Sequence, residues 1–221
     1  MTELHDEDHA LPEFTPSAGA QPDAQGRRDL ALCFVGDSLT VGYGDPKALG
    51  WVGRVVSRTQ HPDLDLTAYN LGVRGQDSGD VAARWKAEGM PRWVGHAERR
   101  LVVSVGHGDV TGGMTTARSR LNLANVLDEA SSKGIATFVV GLTPTLDTGL
   151  NSRIEALAQA QADVCVRRGV TYVDCFHPLI AHEQWRGDLA AGDGVHPGQA
   201  GYGLLAWLVL HGGWPTWLQL G

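Results

Sequence analysis

The chain has 221 residues and a formal charge of −7, long enough for one α/β domain with a sizeable core. Its acidic balance, without a long basic run, excludes a nucleic-acid or anionic-membrane surface, and no apolar run reaches the length of a membrane span. Cys33, Cys165 and Cys175 sit among apolar residues without metal-type spacing, so they read as buried reduced thiols and not as a disulfide framework.

Residues 1–28 form a polar, acidic arm containing proline, alanine and glycine. They lack the basic start and apolar core of a signal peptide, and read as a loosely ordered arm before a cytoplasmic domain, residues 29–221. The alternative reading is a strap that docks through Leu11 and Phe14 onto a neighbouring chain. The run Leu30–Val35 is short, apolar and bounded by polar residues, which predicts a buried strand. It feeds into Gly36-Asp37-Ser38-Leu39-Thr40, a sharp turn with a hydroxyl at the strand's carboxyl end. Ser38 there is either a nucleophile or a cap for backbone N–H groups.

Leu49–Val56 has helical spacing. Asp65–Asn70 is a second strand, followed by the glycine-rich turn Asn70–Gly75 and a helix near Ser78–Ala87, capped by Asp77 or Ser78. Arg100–Val105 is the third strand and ends in Gly106-His107-Gly108-Asp109. A helix over Thr115–Ser132 is stopped by Gly134. The fourth strand is Ile135–Val140, the next helix Asn151–Arg168 and the fifth strand Val170–Asp174. An irregular stretch, Cys175–Gly192, leads to Asp193-Gly194-Val195-His196-Pro197, a last helix over Gly198–His211, and a tail anchored by Trp214 and Trp217. Alternating strands and helices with apolar strands predict one parallel sheet covered on both faces. Right-handed crossovers then gather the loops bearing Ser38, Gly75 and Gly108 along one edge.

Asp193 and His196 lie three residues apart in one loop. Such a loop can supply both an imidazole to take a serine proton and a carboxylate to orient that imidazole. The Gly-x-Ser-x-Gly elbow is absent, because Thr40 stands at its second glycine. Taken together, Gly36–Thr40, Asn70–Gly75, Val105–Asp109 and Asp193–Pro197 resemble the blocks of the SGNH hydrolase superfamily, the GDSL lipases and esterases, in the family's order over roughly residues 30–212. The resemblance implies a flavodoxin-like three-layer α/β/α sandwich with a five-stranded parallel sheet. It also implies hydrolysis of a small-molecule ester through an acyl-serine, with no cofactor or metal. Ser38 would be the nucleophile, His196 the base and Asp193 its orienter. The oxyanion hole would use the N–H groups of Ser38 and Gly75.

The family's third donor, an asparagine side chain, falls on Gly108, which has none. His107 is the nearest substitute. Asparagine restored at 108 is expected to be tolerated and to raise turnover. Asp109 reads as a structural turn residue. Asp37, Arg74 and His107 are candidate substrate contacts, with turn ordering, a surface ion pair and an ordinary loop position as their alternatives. Trp51 and Trp185 read as core, with pocket walls as the alternative. Acyl transfer to an alcohol uses the same triad. A ligand-binding protein with attenuated chemistry is a rival, and so is a phosphate binder, although the G-x-x-x-x-G-K-[ST] pattern is absent.

Overall fold

A computed structural model describes residues 25–220; the arm up to residue 24, with Leu11 and Phe14, lies outside the described residues. The elements run β1 (Arg28–Gly36), α1 (Ser38–Val41), α2 (Gly50–Ser57), β2 (Leu64–Gly72), α3 (Ser78–Trp93), β3 (Glu98–Ser104), α4 (His107–Thr111) and α5 (Thr116–Ser132). They continue as β4 (Ala136–Val140), α6 (Thr148–Val166), β5 (Thr171–Val173), α7 (Phe176–Ile180), α8 (Glu183–Ala190), α9 (Gln199–His211) and α10 (Trp214–Leu218). β1 begins at Arg28, the last residue of the segment read as the arm, and its guanidinium pairs with Glu98 at 2.7 Å.

The strands lie in the order β2-β1-β3-β4-β5, and every neighbouring pair is parallel. This is the flavodoxin-like order, whose reversal between β1 and β3 opens a crevice at the strands' carboxyl ends. The strand pleat divides the core. Leu30, Leu32 and Phe34 of β1 face α2, α8, α9 and α10, while Ala31, Cys33 and Val35 face α3, α5 and α6. All six are fully buried, so β1 is the central plank of a three-layer α/β/α sandwich. Among the described residues no helix is long and apolar enough to cross a membrane.

The expected strands are all present. The helices differ where tertiary packing overrides local signals. α3 runs on through Pro91 to Trp93, because Trp93 is buried and donates its indole N–H to the Ala31 carbonyl at 3.2 Å. α6 starts three residues early, at Thr148, because the Asp147 carboxylate accepts the N–H groups of Gly149 and Leu150. The stretch expected to be irregular holds α7 and α8, fastened by buried Phe176, Leu179, Trp185 and Leu189. The tail closes as α10, with Trp214 and Trp217 packed on Phe138. The three cysteines are buried and free.

Candidate active site

The site starts where β1 ends. Asp37 takes the Leu39 N–H at 2.9 Å and so starts α1, which leaves Ser38 as the first helical residue and not the cap. Asp37 is 4 % exposed, so it orders the turn and does not face a ligand. Burial pushes its carboxyl up to about 6, against the opposing pull of the Leu39 N–H and of His196. The turn is tied to its neighbour. The Asn70 amide donates to the Thr40 carbonyl at 2.8 Å, and the Val73 N–H donates to the Gly36 carbonyl at 3.0 Å.

The loop before α9 meets this turn. One oxygen of Asp193 accepts the N–H groups of Val195 (3.0 Å) and His196 (2.8 Å), and the other lies 2.7 Å from His196 Nδ1. His196 Nε2 lies 2.7 Å from Ser38 Oγ. Partial burial raises the Asp193 carboxyl, but the hydrogen bonds from His196 and Val195 outweigh it and hold the group at about 2. The loop is braced by the Leu146 N–H, which donates to the Gly194 carbonyl at 2.9 Å, and by the Gly194 N–H, which donates to Leu189 at 3.1 Å. A hydroxyl, an imidazole and a carboxylate in this sequence can pass the serine proton to the ring while the carboxylate fixes the tautomer.

β3 delivers the third loop. His107 is buried, and its Nε2 accepts the Thr143 N–H at 3.3 Å. Burial, reinforced by nearby His196, pushes the ring down to about 4. At neutral pH the ring is therefore uncharged, with its proton on Nδ1, because Nε2 is accepting. Gly108 cannot carry a side chain as expected. A Cβ there would lie 2.4 Å from the Gln76 carbonyl oxygen and 2.9 Å from its carbon. The glycine lets the Gln76–Asp77 backbone close onto α4. Asp109, 1 % exposed, accepts the Ser78 N–H at 2.6 Å and the Ser119 hydroxyl, which pins α3 and α5 to this loop. It is the structural residue anticipated.

Gly75, at φ +79°, is exposed. Neither its N–H nor that of Ser38 has an acceptor among the described residues. Arg74, beside it, makes no surface ion pair with a described residue. Its guanidinium instead lies 3.5 Å over the Tyr43 ring. Tyr43 in turn meets the His196 ring edge-on, centroids 4.9 Å apart at 88°. Tyr43 and Thr143 are the site residues that sequence reasoning missed. Tyr43 lies in the serine block itself, and Thr143 lies just past β4 on the same sheet edge. Trp51 and Trp185 are both 1 % exposed and belong to the core. Among the described residues no three His, Cys, Asp or Glu side chains are grouped to hold a metal ion.

A sequence model described as the GDSL-like Lipase/Acylhydrolase family matches residues 34–204, a span that includes all four loops. The chain belongs to this family. The uncharacterized protein YpmR of Bacillus subtilis is 30% identical over 88 residues, which are 38% of this chain and 34% of that protein. The match thus spans about a third of that relative's length. The fold is shared with the acetylxylan esterase Axe2 of Geobacillus stearothermophilus, at TM-score 0.69 and 19% identity over 85% of this chain and 94% of that one. TesA aligns with TM-score 0.70 and 25% identity over 84% and 98% of the two chains. A G-D-S-L lipolytic protein of Veillonella parvula aligns with TM-score 0.69 and 21% identity over 82% and 97%.

Proposed function

We propose that this GDSL-family protein is a serine esterase that hydrolyses a small carboxylic ester through an acyl-serine at Ser38. The observation that carries the reading is the 2.7 Å approach of His196 Nε2 to Ser38 Oγ, with Asp193 behind the ring. His196 takes the hydroxyl proton as Oγ attacks the ester carbonyl. The tetrahedral oxyanion is met by the N–H groups of Ser38 and Gly75, two donors with no other acceptor among the described residues. In this reading the Nδ1–H of His107 replaces the missing asparagine as the third donor. His196 then gives its proton to the departing alcohol. A water activated the same way releases the acid and restores Ser38. An alcohol in place of that water makes the reaction an acyl transfer.

Acetyl esters are the first substrates to try, because the structural neighbour Axe2 is an acetylxylan esterase. The test is labelling with a fluorophosphonate probe, followed by peptide mapping. Stoichiometric modification at Ser38 is expected. An unmodified protein that still binds esters is a binding member of the fold and overturns the reading.

A further inference from the structure

Arg74 directly precedes Gly75, a proposed oxyanion donor, and its guanidinium reaches the site through Tyr43, whose ring meets that of His196. It lies flat on Tyr43 at 3.5 Å, and it makes no hydrogen bond or ion pair with a described residue. Stacking occupies the face of the guanidinium and leaves its in-plane N–H fork free. The platform under it is fixed. The Tyr43 carbonyl accepts the buried Tyr202 hydroxyl at 2.7 Å, and the Tyr43 ring rests against His196 at 4.9 Å. Gly44 makes this packing possible, since a Cβ there would lie 3.0 Å from the Pro197 carbonyl and 3.3 Å from the His196 Cβ. Nearby acids are engaged elsewhere. Asp77 caps α3, Asp193 holds His196, and Asp45 pairs with Arg54. A cation stacked on Tyr43, with no hydrogen-bond or ion-pair partner among the described residues, therefore stands one ring away from His196.

We propose that Arg74, stacked on Tyr43, selects an anionic ester, one carrying a carboxylate or phosphate a few bonds from the scissile carbonyl. The inference rests on the esterase reading of Ser38 and narrows its substrate class. Arg74 binds the anion by charge-assisted hydrogen bonds while Ser38 attacks the neighbouring carbonyl. Pre-stacking reduces the ordering cost of the long side chain, so the selection falls on KM.

Two matched pairs, each an acid and its methyl ester, test it. On the acyl side, 4-nitrophenyl hydrogen succinate is compared with methyl 4-nitrophenyl succinate. On the alcohol side, 4-acetoxybenzoate is compared with its methyl ester. The anionic member of at least one pair is expected to have about tenfold higher kcat/KM, and the responding pair tells which side carries the charge. The ratio should fall toward one in Arg74→Gln and, for the wild type, in high salt. Because it is a ratio, it cancels any structural loss common to both esters. A wild-type enzyme that turns over the neutral esters without preferring an anion overturns the inference and leaves the esterase intact. So does a ratio unmoved by Arg74→Gln. A protein that turns over neither member of either pair loses the esterase reading and this one with it.

Discussion

Gly108 and Gln76 touch so closely that a side-chain carbon on the first would lie 2.4 Å from the carbonyl oxygen of the second. The family's asparagine therefore has no place here unless the Gln76–Asp77 backbone retreats. Gly108→Asn should lower stability by about 1–3 kcal/mol, the usual cost of overpacking, and should not raise kcat. Thermal unfolding and turnover of p-nitrophenyl acetate check this. A variant of unchanged stability with raised kcat would show that the backbone yields freely.

Gly108 has no side-chain donor, and His107 is the residue proposed to supply the third hydrogen bond. His107→Ala should lower kcat on the order of 100-fold with a smaller effect on KM, since the bond strengthens only as charge develops. Steady-state kinetics on a variant shown to be folded would decide it. An unchanged kcat would leave the hole with two donors.

Two buried groups in the site should shape stability against pH, in opposite directions. Burial lifts Asp37 from 3.8 to about 6 in the folded protein. Its contribution is complete below pH 4 and is lost as pH rises through 6. Burial lowers His107 from 6.5 to about 4. Its contribution is complete above pH 6.5 and is lost as pH falls through 4. Urea unfolding of Asp37→Asn between pH 4 and 6 should therefore show stability rising more steeply with pH than in the wild type. The two curves should diverge by roughly 2–3 kcal/mol across the window. Parallel curves would mean that Asp37 titrates as an ordinary carboxylate.

Asp109 holds the β3 loop against α3 and α5 through the Ser78 N–H and the Ser119 hydroxyl. Asp109→Ala strands both donors in the interior and should cost roughly 2–4 kcal/mol. Asp109→Asn keeps an acceptor and should cost less. Urea midpoints compare the two, and equal losses would point to charge instead of hydrogen bonding.

Much of this was legible because the controlling signals are local. The unbroken apolar run Leu30–Val35 predicts a strand buried on both faces, and β1 has that pattern. Asp193 and His196 are legible because one short loop contains both. α7 and α8 were not, because Pro178 and Gly187 punctuate them and only the tertiary burial of Phe176, Leu179, Trp185 and Leu189 makes them worth forming. The end of α3 failed for the same reason, since Pro91 is a local helix breaker and only the burial of Trp93, with its indole N–H on the Ala31 carbonyl, carries the helix past it. Gly108 is the sharpest case. Matching positions reveals the missing donor but not the backbone occupying the space where its Cβ would go. Tyr43 was invisible because an exposed aromatic side chain carries no signal until the guanidinium on one side and the imidazole on the other are in place.

The most direct test of the account is ester turnover by Ser38→Ala beside the wild type, with thermal unfolding measured on the same preparations. His196 Nε2 lies 2.7 Å from Ser38 Oγ although 158 positions separate the residues in sequence, and the proposed chemistry depends on that contact. The wild type should hydrolyse p-nitrophenyl acetate, and the alanine variant should lose turnover on the order of 1000-fold or more while unfolding at a similar temperature. A folded Ser38→Ala protein with wild-type turnover would contradict the assignment of Ser38 as the nucleophile.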